Sequence, residues 1–146
     1  MNHRDVLTKA LPALGLTLGD TQISALLDYL ALIQKWTKVY NLTAVRDPDE
    51  MLTHHLLDSL AVIAPLQQQL AVLAGQGVVG DKPRLLDVGS GAGLPGIVIA
   101  ICCPQITVHC VDTVAKKAAF IQQVAVTLKL PNLRGIHARV ESLTEP

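Results

Sequence analysis

Aromatic residues are scarce in this chain of 146 residues, which has one Phe, one Trp and two Tyr. Half of the residues are nevertheless hydrophobic, so aliphatic side chains must fill most of a core the size of about one domain. An excess of positive charge is also absent, because 12 basic residues balance 12 acidic ones. A strongly basic protein would indicate a nucleic-acid surface, so the balance counts against extensive RNA binding but leaves room for a local basic patch.

Cysteines are few, and the apolar runs are shorter than a membrane-spanning helix. Three cysteines, with Cys102 next to Cys103, make a poor disulfide framework. The most apolar run, Leu94 to Cys103, contains Pro95 and Gly96, and a membrane-spanning helix needs about 20 residues. The polar N-terminus does not have the pattern of a signal peptide. We therefore expect a cytoplasmic protein without a membrane partner.

The first half of the chain has the spacing of amphipathic helices. Apolar residues recur at offsets of three and four, which predicts a helix that ends at Gly15 and a longer one that begins near Asp20. Asp47 followed by Pro48 predicts another helix start, and Pro65 should end or kink that helix. We assign residues 1–75 to an N-terminal helical region. Its inward-facing residues are Val6, Leu7, Ala10, Leu11, Leu14, Ile23, Leu26, Leu27, Leu30 and Ile33.

Short apolar runs alternate with helical patterns from Arg84 onward, after a segment rich in glycine. This order of strand, helix, strand, helix and strand predicts an α/β fold with parallel strands and right-handed crossovers. Three strands make an incomplete parallel sheet, which we assign to residues 84–146. The predicted elements are a buried strand Leu85–Val88, a helix Leu94–Ile101, a strand Ile106–Val111, a helix Ala115–Leu128 and a strand Leu133–His137.

A glycine-rich loop connects the first of these strands to its helix. Gly91-x-Gly93-x-x-Gly96 matches the fingerprint of dinucleotide-binding folds. Gly89-x-Gly91-x-Gly93 matches the first motif of class I methyltransferases, and we favour it because the glycines begin directly after Asp87 at the strand end. Three alternatives stay open: an NAD-binding oxidoreductase domain, a non-catalytic βαβ interaction module, and a tight turn that binds no ligand.

An acidic residue at the end of the second strand supports a nucleotide ligand. Asp112 follows the glycine loop at the distance where a carboxylate accepts hydrogen bonds from ribose hydroxyls in Rossmann-type folds. That placement fits S-adenosylmethionine and NAD equally well. Asp112 is therefore a candidate ribose ligand under either interpretation of the loop.

Several segments together resemble one family more closely than any motif does alone. They are Trp36–Thr43, Asp47–Glu50 with the following His55-x-x-Asp58-Ser59, the loop Leu86–Gly96, and Arg139-Val140-Glu141. In this order they resemble the glucose-inhibited division protein B family, whose members methylate guanine N7 in 16S ribosomal RNA. The resemblance covers nearly the whole chain.

The resemblance implies a Rossmann-like class I methyltransferase fold preceded by a helical region, with S-adenosylmethionine as cofactor and small-subunit ribosomal RNA as partner. It implies no metal and identifies no catalytic residue. It suggests Asn41, His55 and Asp58 for the substrate side. The implied cofactor-binding residues are Gly89, Gly91, Gly93, Leu94, Asp112, Val140 and Glu141.

Family members continue through further strands past the position that corresponds to Pro146. The resemblance therefore predicts that this chain is C-terminally truncated and lacks turnover. A metal site at His54 and His55 is not expected, because adjacent residues on a helix point to different faces.

Overall fold

The computed structural model describes residues 2–40, 47–80, 82–89, 91–139 and 141. Its helical elements precede a small sheet whose strands alternate with two further helices. The helices are α1 His3–Ala10, α2 Asp20–Tyr40, α3 Pro48–Glu50, α4 Leu57–Leu60, α5 Ile63–Gly75, α6 Gly96–Cys102 and α7 Ala115–Thr127, with a 3-10 turn at Pro12–Leu14 and a π-helical segment at Met51–Leu56. The strands are β1 Arg84–Val88, β2 Thr107–Asp112 and β3 Leu133–His137.

The three strands form a parallel sheet in the order β1-β2-β3. Val88 lies opposite Val111, and Asp112 lies opposite His137. The carboxyl ends of all three strands therefore meet at one edge, which is where open α/β sheets bind ligands. The α/β class and the Rossmann-like arrangement predicted from the sequence are confirmed, and the bounds of β3 match the prediction.

Helices α6 and α7 cover the same face of the sheet. A Cβ atom added to Gly96 of α6 would lie 2.5 Å from the Cys110 sulfur, and one added to Gly135 would lie 3.1 Å from the Cβ of Ile121 in α7. Cys110 and Gly135 are register partners, so both contacts are on one face. Glycine at these two positions lets each helix approach its strand closely.

The opposite face of the sheet is more open to solvent. Leu86, His109 and Arg134 form one row across it, and the Leu86 side chain is 49% exposed. The sequence predicted a buried first strand, which is wrong for β1. The reason is that β1 lies at the sheet edge, and no described helix packs on the face that carries Leu86 and Val88.

The N-terminal helices form a second layer over α6 and α7. Helix α2 contacts both of them, and α4 contacts α6. One cluster of buried side chains includes Leu26 and Ile33 of α2 together with Ile97 of α6 and Phe120 of α7. The apolar spacing correctly predicted core positions in α1 and α2 such as Leu7, Leu26 and Ile33, but it missed Tyr29, which is fully buried. The division into residues 1–75 and 84–146 stays a prediction.

The helical run is interrupted just before Pro65, as the sequence predicted. Helix α4 ends at Leu60, α5 begins at Ile63, and Pro65 lies in the first turn of α5. A proline is tolerated there because first-turn N–H groups have no intrahelical partner. Helix α6 begins at Gly96 rather than Leu94, because Gly93 has a φ of 94° and the chain is still turning at that point.

The segment after residue 46 begins a helix as the sequence predicted. The N–H of Asp49 donates to the Asp47 carboxylate at 3.0 Å, and α3 begins at Pro48. The Asp49 carboxylate also contacts His3 Nε2 at 2.8 Å, which links this segment to α1. The sequence did not predict that the helix continues as a π-helix over Met51–Leu56.

All three cysteines are buried free thiols. Burial and the adjacent Cys103 raise the pKa of Cys102 to about 12, so this thiol stays protonated and is a poor nucleophile.

One helical stretch, His54–Gly75, is long and apolar enough to cross a membrane by length and composition. This stretch is interrupted at residues 61–62. A single stretch of this kind is weak evidence for a membrane-spanning helix, because core helices of soluble proteins meet the same criterion of length and composition.

Candidate cofactor site

The loop after β1 turns through three glycines with left-handed backbone. Gly89, Gly91 and Gly93 have φ values of 70°, 61° and 94°, a region that residues with a Cβ rarely adopt. The space around Gly89 and Gly91 is open, since a Cβ added to either would meet nothing within 4 Å. The loop therefore leaves room for a ligand beside its backbone.

Three backbone N–H groups attach this loop to the sheet. Gly89 donates to the carbonyl of Val111 at 2.7 Å. Gly91 donates to the Asp112 carboxylate at 3.3 Å, and Gly96 donates to the Asp87 carboxylate at 2.9 Å. Two carboxylates at the ends of neighbouring strands thus hold both ends of the loop.

Asp87 lies beneath the start of α6. Burial raises the pKa of its carboxyl group, and the hydrogen bond from Gly96 opposes that shift. A Cβ at Gly96 would lie 2.7 Å from the Asp87 Oδ2 atom. The absence of a side chain at Gly96 therefore lets Asp87 reach the helix N-terminus, where a negative charge is stabilised.

Asp112 is held in a fixed orientation at the end of β2. Its side chain is 7% exposed, and its Oδ1 atom accepts a hydrogen bond of 2.8 Å from the N–H of Val114. Because each carboxylate oxygen has two lone-pair sites, these contacts leave acceptor capacity for hydroxyl groups. The geometry permits Asp112 to bind a ribose, as the sequence predicted.

A cavity of about 380 Å³ opens at the carboxyl ends of the strands. Its volume lies within the range of about 300–1,000 Å³ that small-molecule sites occupy. Backbone and side chains from the ends of β1, β2 and β3 line it. The lining residues are Val88, Gly89, Val111, Asp112, Thr113, Ala138, Arg139 and Glu141.

The structure brings together some of the residues that the sequence predicted for the cofactor. Gly89, Asp112 and Glu141 line the cavity. Gly91 does not line it but is bound to Asp112, while Gly93 is buried and Leu94 packs against the core. Val140 lies outside the described residues.

Five residues that line the cavity were not predicted to be part of the site, and three of them lie just beyond the ends of the strands. Thr113 directly follows β2, and Ala138 and Arg139 directly follow β3. The sequence contained a pattern that identifies them, because ligands in open α/β sheets bind just beyond the carboxyl ends of the strands. Arg139 is exposed and lines the same cavity as Asp112 and Glu141.

The residues suggested for the substrate side lie in or near the π-helical segment. The Nε2 atom of His55 is buried and has no hydrogen-bond partner among the described residues. Asp58 is exposed at the first turn of α4. Asn41 lies outside the described residues, so the grouping of the three stays a prediction.

Two further features of the described residues bear on where a ligand could bind. No group of three His, Cys, Asp or Glu residues lies close enough to hold a metal in those parts of the chain. A wide, open depression of about 620 Å³ lies beside α7 and β3. It contains none of the predicted site residues, and its rim carries Lys129 and Arg134.

The chain is similar to proteins of one known family. The model of the GidB family, rRNA small subunit methyltransferase G, matches residues 22–146. Proteins named ribosomal RNA small subunit methyltransferase G are similar to this chain over nearly all of its length. The one from Albidiferax ferrireducens is 76% identical over 135 residues, which cover 91% of this chain and 60% of that protein. The one from Polaromonas naphthalenivorans is 63% identical over 144 residues, covering 99% of this chain and 63% of that protein.

A third relative, from Acidovorax ebreus, is 68% identical over 134 residues, or 92% of this chain and 59% of that protein. The chain thus spans about 60% of the length of the curated relatives that it matches. Identities this high over nearly all of the chain establish common ancestry and a common fold. The chain belongs to the rRNA small subunit methyltransferase G family.

Proposed function

We propose that the chain binds S-adenosylmethionine in the cavity at the carboxyl ends of its strands. The observation that carries this proposal is the meeting of Gly89, Asp112 and Glu141 around one cavity, in a chain that belongs to a methyltransferase family. The open space beside Gly89 and the fixed orientation of Asp112 fit a nucleoside. The family assignment favours this cofactor over NAD.

Each residue has a separate role in this proposal. Asp112 accepts hydrogen bonds from the ribose hydroxyls, and the backbone of Val140 and Glu141 meets the adenine. Gly89, Gly91 and Gly93 give the backbone its close approach to the cofactor, with Leu94 at the loop end. Arg139 lies close enough to the cavity to attract a negatively charged part of the ligand.

The proposed reaction is methylation of guanine N7 in 16S ribosomal RNA. The cofactor supplies an electrophilic methyl group on a sulfonium. The lone pair of guanine N7 would form the new N–CH3 bond as the S–CH3 bond breaks, which leaves the neutral thioether S-adenosylhomocysteine and a cationic 7-methylguanine. No proton is lost, so no general base is required. The chain's own contribution is then positioning and electrostatic stabilisation, which fits a site without a nucleophile–base pair.

We propose small-subunit ribosomal RNA as the partner and the cytoplasm as the location. His55 carries the one structural observation for the substrate side, because its buried Nε2 atom has no partner in the described part of the chain. A buried imidazole nitrogen without a partner is stabilised by an acceptor if it carries the proton and by a donor if it does not. Asn41 and Asp58 remain proposals from family resemblance.

Chemical-shift mapping tests where the cofactor binds. Adding S-adenosylmethionine to the labelled chain should move the amide resonances of Gly89, Asp112 and Glu141. Resonances around the depression at Lys129 serve as the internal control and should stay in place. Shifts centred on Lys129 instead would contradict the proposed site.

Nucleoside analysis tests the reaction. The chain is incubated with S-adenosylmethionine and unmodified small-subunit RNA, and the digested RNA is examined for 7-methylguanosine. A methylated nucleoside of another kind would contradict the N7 assignment. The proposed reaction predicts 7-methylguanosine in the digest, and its absence from RNA incubated with a cofactor-binding chain would contradict that reaction for this chain.

A further inference from the structure

A tyrosine of the N-terminal helices is hydrogen-bonded to the glycine loop. The Tyr29 hydroxyl in α2 donates to the carbonyl of Ala92 at 2.7 Å, across 63 positions of sequence. Ala92 lies between the two loop glycines Gly91 and Gly93, and both Tyr29 and Ala92 are buried. Because the carbonyl is shielded from water, its hydrogen bond to Tyr29 is costly to lose.

The core holds the Tyr29 ring in place independently of the loop. Its ring centre lies 6.5 Å from that of Phe120 in α7. Phe120 in turn makes an edge contact with Trp36 at 5.4 Å. Burial raises the pKa of Tyr29 well above its usual value, and nearby Cys110 and Asp87 add to the shift. The hydroxyl therefore keeps its proton and acts as a donor.

The loop is thus attached from two sides. Asp87 and Asp112 hold its N–H groups from the sheet, while Tyr29 holds the carbonyl of Ala92 from the helical layer. Gly91 and Gly93 would have several accessible backbone conformations if nothing held the loop, because glycine has few steric restrictions. A hydrogen bond from a rigid aromatic side chain reduces that number.

We propose that Tyr29 is a positioning residue that sets the conformation of the glycine loop for cofactor binding. Through it the N-terminal helices contribute to cofactor affinity without touching the cofactor. This inference rests on the proposed function. Affinity falls in proportion to the population of the binding-competent loop.

The substitution Tyr29→Phe keeps the ring and removes the hydroxyl. We expect the affinity for S-adenosylmethionine to fall about tenfold, since about nine-tenths of the molecules would then have an incompetent loop. The carbonyl ¹³C resonance of Ala92 should shift because its hydrogen bond is gone, while resonances of β2 stay in place. A structural role in the core alone would not change this resonance and the affinity together.

Gln22→Met is the matched control. Gln22 lies on the same helix and donates to the carbonyls of Ile101 and Cys102 at the far end of α6. The control removes buried hydrogen bonds between the same two layers at a distance from the loop. We expect it to lower the thermal midpoint as Tyr29→Phe does and to leave cofactor affinity unchanged.

The outcomes separate this inference from the proposed function. If the unaltered chain binds S-adenosylmethionine and Tyr29→Phe binds it equally well, the inference is wrong and the proposed function stands. Absence of binding by the unaltered chain removes both. If the two variants lose affinity equally, the effect is general destabilisation and the inference is also wrong.

A second measurement applies if Tyr29→Phe does not fold. The chain is labelled with 3-fluorotyrosine at its two tyrosines, Tyr29 and Tyr40, and Tyr40→Phe assigns the resonances. Saturation with S-adenosylmethionine should shift the ¹⁹F resonance of Tyr29. A resonance that does not move on saturation would overturn the inference.

Discussion

The carboxylate of Asp112 accepts a hydrogen bond of 3.3 Å from the N–H of Gly91. This contact joins the end of β2 to the loop that follows β1. The other carboxylate oxygen accepts from Val114, so one side chain orders both segments that border the cavity. Asp112 therefore shapes the proposed site as well as offering acceptors to a ribose.

Replacing Asp112 with alanine should weaken cofactor binding about ten- to a hundredfold, since hydrogen bonds to a charged group contribute about 1.5–3 kcal/mol. Calorimetric titration with S-adenosylmethionine measures the change. Asp112→Asn keeps only one of the two backbone contacts, because the amide oxygen still accepts from Val114 while the amide nitrogen is a donor and cannot accept from Gly91. If Asp112→Ala binds as tightly as the unaltered chain, Asp112 is not part of the site.

Gly96→Ala should destabilise the fold. The new Cβ would lie 2.5 Å from the Cys110 sulfur and 2.7 Å from the Asp87 carboxylate, and overpacking of this kind costs about 1–3 kcal/mol. Denaturant unfolding gives the change in the free energy of unfolding. Gly75→Ala is the control, because nothing lies within 4 Å of a Cβ there. Equal stability of the two variants would mean that α6 does not pack so closely on β2.

The His109 imidazole should make the fold less stable in mild acid. Burial and the nearby Arg134 and Arg84 hold the pKa of His109 below its usual 6.5. The unfolded chain therefore takes up this proton first, so the contribution of His109 is present above about pH 6.5 and is lost as the pH falls. His109→Gln should lose less stability than the unaltered chain between about pH 7 and 5.

An NMR titration of Arg134→Gln tests the cause of this shift. Arg134 is the register partner of His109 on β3, so loss of its charge should raise the pKa of His109. An unchanged pKa would assign the whole shift to burial and to Arg84.

The Asp87 carboxyl group should have the opposite pH dependence. Burial raises its pKa above the usual 3.8, so its contribution to stability is fully present below about pH 3.8 and is lost as the pH rises through the folded-state pKa. Asp87→Asn keeps an acceptor for the Gly96 N–H and removes the charge. The variant should gain stability relative to the unaltered chain as the pH rises from about 4 to 7.

Exposed Asp28 provides the control for net charge. Asp28→Asn makes the same change in charge on the outer face of α2. A constant difference in unfolding free energy between Asp87→Asn and the unaltered chain across this pH range would contradict the assigned direction.

Local patterns in the sequence predicted most of the elements. The bounds of β3 were predicted to the residue, and α7 differs only by Leu128, because the apolar residues of α7 recur at helical spacing. The errors arise where tertiary context decides. Nothing within the β1 segment shows that it lies at a sheet edge, and the apolar spacing of Met51–Leu56 does not distinguish a π-helix from an α-helix.

The candidate site was predicted in part for the same reason. Gly89 and Asp112 carry motifs that are visible within a few residues, and both line the cavity. Tyr29 was not predicted, because the position that it contacts, Ala92, is 63 residues away. Contacts between distant segments follow from the packing of the layers, which a single sequence does not specify.

Calorimetric titration of the chain with S-adenosylmethionine, with NAD as the control, tests the central claim most directly. We predict saturable binding of S-adenosylmethionine at one site and no binding of NAD at millimolar concentration. Binding of NAD alone would contradict the account, because the loop would then serve a dinucleotide. Binding of neither ligand would also contradict it, since the cavity beside Gly89 and Asp112 would not form a cofactor site in this chain.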